Sequence, residues 1–338
     1  MKVLYVSAID SNAFWGAEWF MNKAFLENKV DTITIDYRKN KYNLASKFLK
    51  INGDFDFLFL QRGEEFPLEL LGSVKKPKFF WASELVSRRR DQDRLFQSGL
   101  FNHVFVRSVD CIERIVNNGW LTRDKVSILL SSFDPNTYKK IAGIEKDIDV
   151  LFVGSLTKRR KIILDKLKRK FNITIASAYA SEANILYNRA KIVLNIHSED
   201  FLDTETRVFE VLGSGSLLIT EKLSGENPFI NGTHLAETTD IDDMIAKINH
   251  FLSNQREGAV VAESGRMEVL RTHTFNHRAK EIINVFNTHK NSEKFPLSSM
   301  DINRVKKYLY KERVLYLFYK IYTPFFRIKR KIIKIFNL

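Results

Sequence analysis

The first half of the chain alternates between short apolar runs and amphipathic stretches. Six of the apolar runs have the length and composition of strands, at residues 2–8, 30–37, 55–63, 76–84, 103–108 and 125–132. Patterns typical of helices lie between several of them, near 16–28, 88–99 and 109–118. Strands that alternate with helices favour a parallel, doubly wound sheet. We therefore predict a Rossmann-like domain over residues 1–135.

The same pattern begins again after a polar stretch at 133–148. Five further apolar runs predict strands, in the segments DVLFVG, NITIAS, KIVLNIHS, GSLLITE and THLAETT. Helical patterns lie between them up to about residue 288. The sequence thus predicts a second Rossmann-like domain over 148–288, followed by a terminal segment over 300–338. The predicted fold class is α/β, with two domains of similar architecture.

Most of the positive charge lies in the terminal segment. The 338 residues carry a formal net charge of +14. Residues 304–338 contain 11 Lys or Arg and one Glu, a local balance of +10 that leaves about +4 for the rest of the chain. A nearly neutral body with a basic terminal segment disfavours nucleic-acid binding and favours an anchor.

The terminal segment mixes its cationic residues with Leu, Ile, Phe and Tyr in a largely helical pattern, which we expect to break at Pro324. Basic amphipathic helices lie in the membrane interface, with the apolar face in lipid and the cationic face toward anionic headgroups. We therefore expect residues 304–338 to bind an anionic membrane surface. The alternative is a helix that packs on the protein body and leaves its basic face in water.

The expected location is the cytoplasmic side of the cell membrane. The first residues lack the pattern of a signal peptide, and no run reaches the roughly 18 apolar residues that a spanning helix needs. Cys111 is the single cysteine, which excludes an intramolecular disulfide and fits a reducing compartment. We expect a cytoplasmic protein that is bound peripherally to the inner face of the membrane.

Residues that follow predicted strands are the first candidates for chemistry, because ligands of open α/β sheets bind beyond the carboxyl ends of the strands. Gly154 and Ser155 follow DVLFVG, and Arg159 and Arg160 come at the start of the next helix. A small-residue turn, a helix N-terminus and cationic side chains together favour an anion. The alternative is a tight turn beside a basic face in water.

Arg207 and Glu210 form a second candidate pair. They lie three residues apart in ETRVFEVLGSGSLLIT, which places them on one face of a predicted helix. Arginine forms paired hydrogen bonds to phosphate, and a carboxylate can accept hydrogen bonds from a ribose diol. The alternative is an ion pair on the helix surface.

Four blocks of the sequence resemble the C-terminal domain of group 1 glycosyltransferases. They are DVLFVGSLTKRRKIILDKL, KIVLNIHSED, ETRVFEVLGSGSLLITE and THTFNHRAKEII, and they cover roughly residues 148–286. The resemblance is greatest to the branch that includes spore-maturation glycosyltransferase-like proteins. It implies the GT-B fold, in which two Rossmann-like domains face a cleft and the second domain holds most of the nucleotide sugar. It also implies a reaction without a bound metal ion.

The resemblance assigns donor-binding roles within this sequence. It implies that Glu210 binds the ribose, that Arg207 lies near the diphosphate, and that Tyr179 lies near the nucleobase. The first loop, with Gly16, would face the donor phosphates or the acceptor. The residues expected to bind the donor are Gly16, Gly154, Ser155, Arg159, Arg160, Tyr179, Thr206, Arg207 and Glu210.

The catalytic residues are less clearly marked. Many retaining members of the family carry a second glutamate eight positions before the one that matches Glu210, but Leu202 stands there. Asp203, or else Glu205, is the expected substitute. Glu84 ends a predicted strand and is a candidate for the catalytic base or an acceptor contact, although a polar strand end without a role is an alternative. His197 is a third candidate for the catalytic site, through contact with the donor, and the alternative is a structural histidine.

We therefore expect a metal-independent glycosyltransferase of the hexosyltransferase type. It would use a nucleotide sugar, with a UDP-sugar favoured, and would need no cofactor. The acceptor would be a membrane-associated or cell-surface glycan, or a lipid-linked one, as in the synthesis of cell-surface polysaccharides. The alternatives are a nucleotide-sugar epimerase of the same fold, which the basic terminal segment disfavours, and an inactive protein that binds sugar nucleotides or glycans.

Overall fold

The first domain contains a parallel sheet of six strands. The computed structural model describes residues 1–51, 55–84, 90–292 and 299–336, and only the backbone of 291–292 and 321–336. The strand order is β2-β1-β3-β4-β5-β6, and all pairs are parallel. The strands are β1 Lys2–Ser7, β2 Asp31–Asp36, β3 Phe57–Gln61, β4 Lys78–Trp81, β5 His103–Val106 and β6 Val126–Ile128.

Helices cover both faces of this sheet, so its central strands are apolar on both sides. In β3, Phe57 and Phe59 pack into one core and Leu58 and Leu60 into another, all fully buried. The helix predicted near 88–99 is seen, over its described part, as a 3₁₀ turn at Arg90–Gln92 followed by α4. The helices are α1 Ala17–Glu27, α2 Leu44–Leu49, α3 Leu68–Leu71, α4 Asp93–Gln97 and α5 Val109–Asn117.

The second domain contains a parallel sheet of five strands in the order β11-β10-β9-β7-β8. All eleven strands that the sequence predicts are therefore confirmed. The strands are β7 Ile148–Val153, β8 Ile173–Ala176, β9 Ala190–Asn195, β10 Leu217–Glu221 and β11 Ala236–Thr238. The helices are α6 Lys158–Lys168, α7 Ala180–Arg189, α8 Thr206–Gly213, α9 Ile241–Ser253 and α10 Gln255–Thr272.

Helix α11, Phe275–Ser292, returns to the first domain. It packs along α1, and the ring of Phe286 stacks on that of Phe57 with centroids 4.6 Å apart. Arg278, near its start, donates a hydrogen bond to the carbonyl oxygen of Leu130 at 2.9 Å. The predicted second domain includes most of this helix, but the helix contributes its apolar face to the core beneath the first sheet.

Helix α12, Ile302–Phe336, begins by packing on α2 and α3 of the first domain. Val305 and Tyr308 are buried there, and so is Glu312, whose carboxylate accepts the backbone N–H of Leu44 at 2.6 Å. This carboxylate satisfies the start of α2, where backbone donors lack partners within the helix. The beginning of the basic segment is thus part of the protein body, as the alternative interpretation holds.

The predicted break at Pro324 is wrong, because α12 continues through this residue. An interior proline removes one backbone hydrogen bond and kinks or breaks a helix, and here the helix continues past it. The side chains of residues 321–338, with five of the 11 cationic residues, lie outside the described side chains. No helix in the described part of the chain combines the length and hydropathy that a membrane crossing requires.

Candidate functional site

The two sheets direct their topological switch points toward a shared cavity. The strand order reverses between β1 and β3 in the first sheet and between β7 and β9 in the second. Ligands of such sheets bind at these points. A cavity of about 320 Å³ lies between the domains here. Its first-domain lining is Trp15, Gly16, Ala17, Arg62, Glu84 and Arg107. Its second-domain lining is Tyr138, Val153, Gly154, Ala178, Tyr179, Tyr187, Asp203, Glu205, Thr206, Arg207 and Glu210.

Gly154 allows Arg207 to approach the turn after β7. Its φ of +145° suits glycine, and a Cβ at this position would lie 2.6 Å from Nη2 of Arg207. The guanidinium of Arg207 donates from Nη1 to Asn195 Oδ1 at 3.1 Å and to Glu205 Oε2 at 3.2 Å, and it lies over the ring of Phe152. These contacts hold a cation in one orientation at the wall of the cavity.

Glu210 provides a carboxyl group with an unusual pKa. Burial raises the pKa of Glu210 to about 7, although the hydrogen bond from Tyr138 and the charge of Arg207 act in the opposite direction. Arg207 forms its ion pair with Glu205. Glu210 is therefore a half-buried acceptor inside the cleft rather than one partner of a surface ion pair, and its carboxyl group titrates near neutral pH.

Glu205 pairs with the positively charged groups at the second-domain wall of the cavity. Its carboxylate lies 3.2 Å from both Arg160 Nη2 and Arg207 Nη1, and 3.8 Å from Nδ1 of His197. Burial raises the pKa of Glu205, but the hydrogen bond to His197 and the two guanidinium groups outweigh it and lower the pKa to about 2. Glu205, directly before α8, is thus ionised over the whole neutral range, in contrast to Glu210 within that helix.

Arg159 and Arg160 lie outside the cleft lining. Arg160 is buried, and its Nε donates to the carbonyl oxygen of Ile196 at 2.8 Å. Arg159 donates two hydrogen bonds to Glu221, at 2.8 and 2.5 Å. Both guanidinium groups are therefore paired with carboxylates of the same domain, Arg159 with Glu221 and Arg160 with Glu205. Their expected contact with a donor diphosphate stays a prediction.

Two more predicted residues also lie away from the cavity lining. Ser155 is exposed, and its Oγ accepts a 3.4 Å hydrogen bond from Arg160. His197 is buried, and its Nε2 lies 2.9 Å from the carbonyl oxygen of Lys222. Arg159 and His197 instead line a separate cavity of about 470 Å³ at the ends of β10 and β11.

The first domain contributes a charged network around Arg62. This residue has a left-handed φ of +67°, which is uncommon for a side chain other than glycine. Its guanidinium donates to the fully buried Glu18 and, at 2.8 Å, to Glu84. Gly16 completes the turn, because a Cβ there would lie 2.4 Å from the Cβ of Asn12. Glu84 thus faces the cavity as a carboxylate paired with Arg62.

Arg107 joins the two sides of the cleft. From the end of β5 its Nη2 donates to Asp203 Oδ1 at 2.7 Å and to the carbonyl oxygen of Thr204 at 2.7 Å. Thr206, at the start of α8, forms a 2.9 Å hydrogen bond with Ser131. The structure therefore brings together Gly16, Glu84, Gly154, Tyr179, Asp203, Thr206, Arg207 and Glu210 of the predicted site residues.

The sequence analysis did not single out several residues of the cavity. Tyr138, the partner of Glu210, lies in the polar stretch between the domains, and Trp15 lies in the first loop. The clearest signal for Trp15 is its position directly before Gly16 in a polar loop after a buried strand. In the described part of the chain, no group of three or more His, Cys, Asp or Glu side chains is placed to hold a metal ion.

Comparison with known proteins gives a family match over part of the chain and a fold for most of it. Residues 158–284 match the family model described as glycosyl transferase-like. An uncharacterised protein of Acanthamoeba polyphaga mimivirus is 30% identical over 117 residues, which are 33% of this chain and 42% of that relative. The chain thus spans less than half the length of this curated relative.

Two solved structures are similar over most of the chain. HepE of Anabaena, in complex with UDP and glucose, has a TM-score of 0.64 at 11% identity, over 85% of this chain and 100% of that one. Sucrose-phosphate synthase from Thermosynechococcus elongatus has a TM-score of 0.63 at 10% identity, over 87% and 100%. The resemblance to the spore-maturation branch stays a prediction. The chain has the GT-B glycosyltransferase fold, and its residues 158–284 match the model of the glycosyl transferase-like family.

Proposed function

We propose that this protein is a glycosyltransferase that moves a hexosyl group from a nucleotide sugar to an acceptor at a membrane. The observation that carries the proposal is the position of Glu210 and Arg207 beside Gly154 in the cavity between the domains. The UDP and glucose in the HepE structure support a UDP-sugar as the donor.

The second domain would bind the donor with groups that are already in place. The carboxylate of Glu210 would accept hydrogen bonds from the ribose hydroxyls. Arg207, held by Asn195 and Glu205, would face the diphosphate. Negative charge develops on the leaving diphosphate as the sugar is transferred, and an oriented cation stabilises it without reorganisation. The N-terminus of α6 adds positive potential at the same turn, so we propose a reaction without a bound metal ion.

The first domain would receive the acceptor. Glu84 lies in the cavity as a carboxylate paired with Arg62, and it could accept the proton of the attacking hydroxyl group. Asp203 also faces the cavity, but its Oδ1 accepts a hydrogen bond from Arg107 of the other domain, whereas the pair of Glu84 and Arg62 lies within the first domain. We therefore assign the acceptor contact to Glu84 and keep Asp203 as a residue that fixes the two domains relative to each other.

A membrane-associated acceptor fits the position of α12. Tyr316 and Tyr319 of this helix pack on Tyr42, in the loop after β2. That loop lies at the same edge of the sheet as the cavity. Tyr310, Val314, Leu317 and Phe318 are exposed on the helix, among basic residues. An exposed apolar surface of this kind is typical of a binding surface. We propose that it lies on the cytoplasmic face of the membrane, where a lipid-linked or cell-surface glycan would be extended.

The test is a transfer assay with labelled UDP-sugars, in the presence and absence of a membrane lipid extract. We expect release of UDP that depends on the extract, together with label in the extract. Glu210→Gln should abolish most of this activity, and Glu263→Gln, on the outer surface of α10, should leave it unchanged. Interconversion of sugars without an acceptor would indicate an epimerase instead. Binding of the nucleotide without turnover would indicate an inactive binding protein.

A further inference from the structure

A groove lies between α12 and the loop that follows β2. It is made of two cavities, of about 350 and 620 Å³, that share some of their lining residues. The larger cavity is lined by three basic residues and three tyrosines, and within the described part of the chain no carboxylate lines it. These residues are Arg38, Lys39, Lys41, Tyr42, Tyr316 and Tyr319. The larger cavity therefore offers positive charge and hydrogen-bond donors to an anion.

Two carboxylates of the turn after β3 hold the cations of this groove. Glu64 pairs with Arg38, and Glu65 accepts a hydrogen bond from Nζ of Lys41 at 2.6 Å. Both carboxylates line the smaller cavity and not the larger one. A guanidinium has five N–H donors and an ammonium has three, so one carboxylate partner leaves donors of each cation for a second anion. Lys39 is exposed, and no carboxylate of the described residues pairs with it.

The other side of the groove is formed by aromatic and apolar side chains of α12. The ring of Tyr319 stacks on that of Tyr42 with centroids 4.7 Å apart, and Nζ of Lys320 lies 5.0 Å from the centre of the Tyr316 ring. Leu315 lines the smaller cavity and is 46% exposed. A free inorganic anion gains nothing from apolar neighbours. A phospholipid places its phosphate beside acyl chains, and tyrosines suit the boundary between the two.

We propose that this groove binds the headgroup phosphate of an anionic phospholipid. The inference rests on the membrane position of α12 in the proposed function, and it adds a defined headgroup site to that position. The phosphate would lie in the larger cavity, where Arg38, Lys39 and Lys41 donate hydrogen bonds to its oxygens. The acyl chains would lie along the exposed apolar side chains of α12. Basic pockets beside a membrane surface bind anionic headgroups in this way.

The turn after β3 connects the groove to the cleft. Arg62 lines the cavity between the domains, and Glu64 and Glu65, two and three residues later, hold the cations of the groove. Three residues span at most about 11 Å, even when fully extended. A headgroup in the groove therefore holds the first-domain side of the cleft next to the lipid surface, where the proposed acceptor lies.

The test measures sedimentation of the full chain with vesicles of phosphatidylcholine alone or of equal parts of phosphatidylcholine and phosphatidylglycerol. Lys39→Gln with Lys41→Gln should weaken binding to the anionic vesicles about thirtyfold, because two cations of the site are lost. Lys39→Gln alone, which breaks no ion pair, should weaken it about fivefold. The matched control is Lys166→Gln with Lys168→Gln, which removes the same charge from exposed positions of α6 and should have little effect. Excess inorganic phosphate at constant ionic strength should not release the wild type.

The outcomes separate the inference from the proposed function. An equal loss in the two double variants would overturn the inference, because it would indicate attraction by net charge alone. Undiminished binding of the Lys39 and Lys41 double variant would also overturn it and would leave the apolar surface of α12 as the membrane contact. Release of the wild type by inorganic phosphate would mean that the groove takes free phosphate instead of a lipid. A wild-type protein that sediments with neither kind of vesicle would contradict the membrane position in the proposed function itself.

Discussion

The two sides of the cleft are built in different ways. On the second-domain side, Arg207 and Glu210 lie three residues apart on α8, and one carboxylate, Glu205, orients the cation. On the first-domain side, Arg62 follows β3 and Glu84 follows β4, and Arg62 pairs with both Glu84 and Glu18 of α1, so these groups depend on one another for charge balance. The donor contacts that we propose are therefore concentrated in one short helix of the second domain. The first domain provides a charged surface that depends on ion pairs between separate elements.

The largest effect should come from breaking the network of the first domain. Arg62→Ala leaves the fully buried Glu18 without its cationic partner, so the free energy of unfolding should fall by about 3 kcal/mol. Urea denaturation measures this change. The double variant with Glu18→Gln should recover most of the loss, because a neutral side chain removes the buried charge. No loss in the single variant would mean that Glu18 is not held by this pair.

The second domain should respond in its ligand affinity instead of its stability. Glu210→Gln removes the charged acceptor that we propose for the ribose hydroxyls, so UDP binding should weaken by about 2 kcal/mol, roughly thirtyfold. Calorimetry with UDP measures the change, and Glu263→Gln is the matched control. Unchanged affinity in a folded Glu210→Gln protein would remove the basis for the assigned role.

The apolar surface of α12 should matter for membranes and not for the donor. Leu317→Ser together with Phe318→Ser should weaken sedimentation with anionic vesicles at least tenfold, about 1.5 kcal/mol, because two exposed apolar side chains no longer enter the lipid. Val260→Ser with Met267→Ser, two exposed apolar residues on α10, should leave sedimentation unchanged. Equal sedimentation of both double variants would argue against a membrane role of this helix.

The smallest effect is the pH dependence of donor binding. If ribose hydroxyls donate to the carboxylate of Glu210, whose pKa is about 7, the affinity for UDP-glucose should rise about tenfold between about pH 6 and pH 8. Glu210→Gln should bind with little change over this range. The stability contribution has the opposite sign, since a raised carboxyl pKa favours the folded protein below about 4.5 and this contribution is lost as the pH rises through about 7. A flat wild-type profile would exclude Glu210 as the titrating acceptor.

The sequence predicts the strands and the local part of the site for the same reason. Both are encoded by short-range patterns. A run of apolar residues predicts a strand such as β3, and a separation of three residues places Arg207 and Glu210 on one face of a helix. The side-chain positions of Arg159 and Arg160 depend on their partners Glu221 and Glu205, which are 62 and 45 residues away along the chain. No local pattern indicates that these carboxylates fold against the start of α6.

The docking of α12 has a similar explanation. In the sequence, Glu312 is the single acid among 11 cationic residues of the terminal segment, and it looks like an exception to a basic surface. In the structure it is buried and accepts the backbone N–H groups of Leu44 and Ala45, nearly 270 residues earlier, at 2.6 and 3.2 Å. The carboxylate therefore fixes the helix to the first domain. An isolated charge of the opposite sign within a basic helix can mark such a contact.

A structure of the complex with UDP tests the central claim most directly. The account predicts that the ribose hydroxyls lie within hydrogen-bond distance of the Glu210 carboxylate, with the diphosphate beside Arg207 and Gly154 in the cavity between the domains. The nucleotide would contradict the account if it occupied the separate cavity of about 470 Å³, with its phosphates on Arg159 and His197.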